Sequence, residues 1–200
     1  MTKKSRAFRI SYSALFAAVI CIGGFLKIPL GPVPVVLQNA LCVLSGCITG
    51  GFLGMVPTLI FLFAGLTGLP VYSGGTGGIA VWLGPTGGFL AGYLFGALAA
   101  SLIAGKPSVH EKSITAKKLT LIILSVLTGM IVLYIPGVVH FFLWAKRTGH
   151  VPADSSALYY TLTACVLPYI PGDILKSALC VYVSVKVRPL AALYLYEETK

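Results

Sequence analysis

Apolar residues along this chain gather in long runs rather than alternating with polar ones, and the runs stop at glycine, proline or charge. Long runs without a polar face read as helices that bury or lipid-expose most of their surface. The pattern predicts such helices near residues 10–28, 35–50, 52–69, 87–105, 119–145 and 157–187. An α-helix needs about 20 apolar residues to cross the hydrocarbon core of a bilayer. The expected fold class is therefore an all-α integral membrane protein of six transmembrane helices, with residues 1–200 forming one membrane domain. The first apolar run follows a basic head, as in a signal peptide, but no small-residue cleavage site clearly ends it. It is read as the first span.

Between the third and fourth runs, residues 69–88 (LPVYSGGTGGIAVWLGPTGG) are rich in glycine and carry no charge. This is too flexible for a lipid-facing helix, and irregular backbone at membrane depth survives only where protein or a cavity surrounds it. The segment is expected to be a glycine-rich outer loop folding over or into the bundle.

Composition strengthens this picture: 57% hydrophobic side chains, 10% charged and a mean hydropathy of +0.93 are far from a soluble domain, which is about a quarter charged. The net charge of +10 would suggest nucleic acid for a soluble protein, but these bases flank the apolar runs. With the N-terminus inside, the cytoplasmic set is Lys3, Lys4, Arg6, Arg9, Lys106, Lys112, Lys117, Lys118, Lys186, Arg188 and Lys200, against Lys27, Lys146 and Arg147 outside. That asymmetry follows the positive-inside rule and predicts a plasma-membrane protein, embedded in membrane lipids, with both termini cytoplasmic and no nucleic-acid partner.

Catalytic chemistry is poorly supplied. Gly75-Thr76-Gly77-Gly78-Ile79-Ala80 matches G-x-G-x-x-A, but the next acid is Glu111 and no strand–helix unit frames it, so it is not a dinucleotide site. Gly105-Lys106-Pro107 resembles the end of a phosphate-binding loop, yet proline stands where Ser or Thr would hold magnesium. His110, His140 and His150 are scattered, and Val71-Tyr72-Ser73-Gly74 lacks the leading glycine of a nucleophile turn. Cys21, Cys42, Cys47, Cys165 and Cys180 all lie in apolar stretches without a C-x-x-C pair, which indicates neither a disulfide framework nor a zinc site. The expectation is a non-enzyme with no cofactor and no metal.

One ionisable pair stands out. Asp173 and Lys176, in Pro-Tyr-Ile-Pro-Gly-Asp-Ile-Leu-Lys (168–176), are three apart on a helix and so share a face. Charges within a span are costly and mark a site or a paired interior position. Pro171 suits the first turn of a helix, where the dipole favours Asp173. Gln38 and Asn39, after the turn Pro29-Leu30-Gly31-Pro32-Val33-Pro34, add amides that both donate and accept. Tyr72, Trp82 and Tyr93 bring apolar surface with a polar tip to the same side, as a pocket wall or an interfacial belt. On the first span, Ala14 and Ala18 form a small-x-x-x-small pattern that permits close helix contact.

Taken together, these residues resemble the BioY family, the biotin-specific substrate-binding (S) component of energy-coupling-factor transporters. The resemblance is carried by Gly31-Pro32-Val33-Pro34 with Gln38, the run from Gly68 to Gly78, Gly84-Pro85-Thr86-Gly87-Gly88 with Gly92-Tyr93, and Pro171-Gly172-Asp173 with Lys176. It implies six transmembrane helices and high-affinity capture of biotin from outside, with transport driven by an energising module of two ATPases and a transmembrane coupling protein. It also implies that Ala14 and Ala18 meet that coupling protein. Biotin offers a ureido head, an apolar thioether ring and chain, and a carboxylate. Asp173 is suited to accept from the ureido N–H groups, and Lys176 to donate to the ureido carbonyl or to the carboxylate. Gln38, Asn39, Thr86 or the loop around Gly75, Thr76 and Gly77 would hold the other end, with Tyr72, Trp82 and Tyr93 as apolar wall. Without the resemblance the residues support a small-molecule site in a helical bundle and do not name its ligand. The alternative is an ion-coupled secondary transporter, although such proteins often show internal repeats, and none is visible here.

Overall fold

The computed structural model describes residues 3–29, 32–108 and 115–196, with side chains from Arg6 onward. Leu30 and Gly31 of the proline-rich turn, His110, Glu111, Lys112 and Lys200 lie outside the described residues, as do the side chains of Lys3 and Lys4. Helices α1 (Lys3–Gly23), α2 (Gln38–Thr49), α3 (Val56–Leu66), α4 (Ile79–Leu83), α5 (Gly87–Ala104), α6 (Ala116–Thr148), α7 (Ala157–Cys165) and α8 (Ile170–Leu195) follow one another. Two short strands, β1 (Lys27–Ile28) and β2 (Val35–Val36), pair antiparallel between α1 and α2, with Lys27 opposite Val36.

Among the described residues, four stretches are long and apolar enough to cross a membrane: Arg6–Gly23 in α1, all of α5, all of α6, and Ala157–Leu195 across α7 and α8. A shorter apolar stretch, Phe52–Leu66, joins a 3-10 turn to α3. The chain is thus a mostly helical, multi-pass membrane protein. The expected second span, 35–50, becomes the 12-residue α2, about 18 Å long at about 1.5 Å per residue, because residues 35 and 36 are spent on β2. Every residue of α2 except Leu41 is buried, and α1, α3, α5, α6 and α8 all pack against it. A helix enclosed by neighbours has no lipid-facing side, so hydrocarbon thickness does not set its length.

The expected sixth run, 157–187, is broken. Val166 leaves helical geometry (φ −124°, ψ −68°), a 3-10 turn spans Leu167–Tyr169, and α8 then continues to Leu195. Pro168 and Pro171 have no amide hydrogen to continue a helical ladder, and Pro171 falls in the first turn of α8, with Asp173 beside it.

Glycines set how close the helices come. A Cβ at Gly92 would lie 2.2 Å from Leu133 O, at Gly96 2.7 Å from Gly129 O, and at Gly88 2.3 Å from Pro136 O. This four-residue spacing along α5 lets the backbone of α6 approach directly, the packing that membrane helices use in place of a hydrophobic drive.

Helices α2, α5 and α8 run the same way. Asn39 and Asp173 meet near the N-termini of α2 and α8. At the opposite end Arg188, 2% exposed, donates to Cys47 O, to Ala104 O at 2.9 Å and to Gly105 O at 3.0 Å. Arg188, one of the bases assigned to the cytoplasmic side from the sequence, is a buried cation on the last carbonyls of α2 and α5, where helix ends leave acceptors unpaired and favour positive charge.

Candidate binding site

The site lies at the end of the bundle where the hairpin, the glycine-rich loop and the N-termini of α2, α5 and α8 converge. The loop is laced to its surroundings by backbone bonds. Gly74 N–H donates to Gly24 O at 2.9 Å, Gly78 N–H to Gly65 O at 2.7 Å, and Tyr72 N–H to Thr76 O at 2.8 Å. Gly74 and Gly75 take positive φ (71° and 76°), which a residue with a Cβ adopts only at a cost. Tyr72 is fully buried; its hydroxyl donates to Leu62 O at 2.6 Å and accepts from Trp82 Nε1 at 2.9 Å. Burial raises the Tyr72 hydroxyl above its ordinary range. Its ring fits only because residue 65 is glycine, where a Cβ would lie 2.1 Å from the ring.

Gln38 is 1% exposed. Its amide nitrogen donates to Val71 O at 2.8 Å and to Ile20 O at 3.3 Å, tying the loop to the end of α1. Its Oε1 is buried and accepts nothing.

Three hollows matter. A chamber of about 390 Å³ is walled by the hairpin, the segment Pro32–Pro34, the loop and α5, and includes Gln38, Tyr72, Thr76, Thr86, Phe89 and Tyr93. This volume is within the range of about 300–1,000 Å³ usual for small-molecule sites. A smaller hollow of about 30 Å³ shares Val33, Val36, Phe89 and Tyr93 with it and adds Asn39, Tyr134, Asp173 and Lys176. The third, about 680 Å³, is a groove between α6 and α8 lined mostly by aliphatic residues, with Tyr134, Asp173 and Ser177 as its polar side chains. It lacks the convergent polar groups that orient a ligand, so the first two hollows form the site.

The floor of the small hollow is a closed polar cluster. Lys176 Nζ lies 2.5 Å from Asp173 Oδ1, 3.0 Å from Asn39 Oδ1 and 3.2 Å from Val36 O. Asn39 Nδ2 donates to Asp173 Oδ1 at 3.1 Å, and the Tyr134 hydroxyl donates to Asp173 Oδ2. Asp173 and Lys176 are 8% and 9% exposed. The charges cancel, and Asp173 accepts three bonds where a carboxylate has about four sites.

Of the residues singled out from the sequence, Asn39, Asp173 and Lys176 meet directly, while Gln38, Tyr72, Thr76, Thr86 and Tyr93 wall the adjoining chamber. Trp82, Gly75 and Gly77 do not line either hollow. Trp82 supports Tyr72 from behind, and Gly77 allows close backbone approach, since a Cβ there would lie 2.2 Å from Leu69 O. Ala14 and Ala18 are exposed on α1 beside Leu15 (69%) and Ile22 (63%). Sequence reasoning missed Tyr134, Phe89 and Lys27 as site residues; Tyr134 shares its apolar run with Thr120, Ser125, Thr128 and His140, and nothing in the sequence distinguishes it from them.

Comparison with known proteins agrees over nearly the whole chain. Residues 1–192 match the BioY family. The biotin transporter BioY of Rhodobacter capsulatus is 36% identical over 169 residues, covering 84% of this chain and 86% of that protein. The biotin transporter BioY of Lactococcus lactis subsp. cremoris is 31% identical over 199 residues, 98% of each. Among solved structures, the 2.1 Å crystal structure of the S-component for biotin from an ECF-type ABC transporter superposes with a TM-score of 0.77 at 30% identity. That match covers 98% of this chain and 99% of the other.

Proposed function

The chain belongs to the BioY family, and from that membership and the geometry of the site we propose that it is the biotin-capturing subunit of an ECF-type transporter, mediating biotin uptake across the cell membrane. The observation that carries this reading is the Asn39–Asp173–Lys176 cluster, buried at the floor of a small hollow that adjoins a chamber of small-molecule size. Biotin's ureido head is neutral and presents two N–H donors beside one strong carbonyl acceptor. A charge-balanced floor with a free carboxylate lone pair, and an ammonium group whose bond to Val36 O or Asn39 Oδ1 a ligand carbonyl would replace, meets that pattern without burying net charge. Phe89, Tyr93 and Val36 then supply apolar wall for the fused rings.

The chain crosses the bilayer six times in this reading, α2 being the enclosed passage, with both termini cytoplasmic and the chamber facing outward. Concentrating a ligand requires an energy source, and no phosphate-binding loop is legible in the sequence. The partner is therefore the energising module, a transmembrane coupling protein with two ATPases, docked on α1 where Ala14 and Ala18 are exposed. The test is equilibrium binding of radiolabelled biotin to detergent-solubilised protein without nucleotide, alongside isothermal titration. Saturable binding at one site is expected. No heat together with no retained label on folded protein would overturn the assignment.

A further inference from the structure

We infer that the groove between α6 and α8 holds an acyl chain of an anionic phospholipid, whose headgroup rests on Lys117 and Lys186 at the end of the bundle opposite the binding site. The groove is separate from the chamber and its occupant does not depend on which molecule the chamber takes.

Both helices belong to stretches able to cross a membrane, so their outer faces meet hydrocarbon. The groove has a buried floor at Val126, Met130 and Ser177 and exposed rims at Leu127, Ile131 and Ile174. It therefore opens away from the bundle, toward lipid. Along α6 it runs from Ile123 to Tyr134, about 16 Å at about 1.5 Å per residue. That is about half of a hydrocarbon core about 30 Å thick, the depth that a chain from one leaflet fills. Ser177 apart, the polar side chains of the wall are already spent on the floor cluster: the Tyr134 hydroxyl donates to Asp173, and Asp173 is neutralised by Lys176. A polar ligand would find little to orient it, whereas a hydrocarbon chain needs only an apolar slot.

Charge places the headgroup. Lys117 is exposed on α6, two turns from the exposed Leu124 and so on the same face, about 9 Å beyond Ile123. Lys186 is exposed on α8 about 8 Å beyond Val181, the last groove residue of that helix, and its ammonium lies 6.0 Å from the centre of the exposed Tyr182 ring. Tyrosine and lysine are the residues that anchor helix ends at headgroup level. Among the described residues the acids are Asp154 and Asp173, both toward the binding-site end, so no described acid neutralises this pair and a lipid phosphate does. A transmembrane helix fits the slot poorly. Membrane helices associate where small side chains let backbones approach, and here the edges are Ile123, Leu127, Ile131 and Ile174, with Ala178 the one small residue among them.

The experiment adds phosphatidylglycerol or phosphatidylcholine of identical chains, each with a photoreactive group at mid-chain, to the detergent-solubilised protein. Native mass spectrometry counts bound lipid, and proteolysis maps the crosslinks. The unaltered chain is expected to retain one phosphatidylglycerol, crosslinked to the groove stretches of α6 and α8, with about a 30-fold preference over phosphatidylcholine, the pull of two lysines. Lys117→Gln combined with Lys186→Gln removes most of that preference and keeps the crosslinks. Ala178→Phe, on the exposed side of α8, fills the slot and abolishes crosslinks from both lipids; Ala178→Leu does the same with a smaller side chain, and an unchanged unfolding midpoint shows that each variant is folded. Equal retention of the two lipids, crosslinks on other helices only, or groove crosslinks that survive both Ala178 variants each overturns the site. A dimer that disappears in those variants also overturns it, giving the groove to a second copy of the chain.

Discussion

Asp173→Asn separates the two roles that a buried ion pair can play. The carboxylate is 8% exposed and accepts from Asn39, Lys176 and Tyr134. The amide keeps the shape but removes the charge, leaving the Lys176 ammonium, 9% exposed, with neutral acceptors alone: Val36 O, Asn39 Oδ1 and the new amide's own oxygen. Breaking a buried pair from one side costs about 3–5 kcal/mol because the other charge is orphaned. Asp173→Asn and Lys176→Met are each expected to lower the thermal unfolding midpoint in detergent. Each should also weaken biotin binding by about 1.5–3 kcal/mol, roughly 10- to 150-fold, the scale of a hydrogen bond to a charged group. The double variant distinguishes the roles. With no charge left to orphan, its stability should return to within about 1–2 kcal/mol of the parent, while binding stays lost. The assay is scanning fluorimetry without ligand beside biotin titration, on all four proteins. A double variant with parental affinity would confine the pair to helix packing and refute a direct part in ligand recognition.

Tyr134→Phe removes the hydroxyl given to Asp173 Oδ2 but keeps the ring and its edge contact with Phe89, centroids 5.9 Å apart; stability should fall by about 1–2 kcal/mol, read as a lower unfolding midpoint, and biotin affinity should weaken as the Asp173 carboxylate loses a fixed orientation, as fluorimetry and titration would show. Gly92→Val places carbon where Leu133 O already lies 2.2 Å from the Cβ position, so α5 and α6 must part; a loss of about 1–3 kcal/mol is expected from overpacking, read as a lower midpoint. Ala14→Trp and Ala18→Trp, on the exposed face of α1, should leave biotin binding intact but abolish ATP-driven uptake in liposomes that also contain the ATPases and coupling protein. Unchanged uptake would remove that face from the docking surface.

What the sequence determined by itself is whatever depends on near neighbours and on solvent. Apolar runs too long for a soluble core dictate a helical membrane protein. The i, i+3 spacing of Asp173 and Lys176 with Pro171 just before them dictates a paired charge in the first turn of a helix. The glycine-rich, uncharged segment 69–88 dictates backbone folded against protein, where Tyr72 is indeed fully buried. Tertiary structure decided the rest, because it depends on which faces meet. Asn39 reaches Asp173 across 134 residues, and Tyr134 across 39; nothing local marks either as a partner. Trp82 and Tyr72 look alike as pocket aromatics in one dimension, yet the loop's path puts Tyr72 in the chamber wall and Trp82 behind it. Arg188 reads as a surface base beside an apolar run until the C-termini of α2 and α5 close over it. The enclosed α2 shows the same limit: hydropathy measures what lipid would tolerate, and a helix whose neighbours are all protein is not placed by lipid at all.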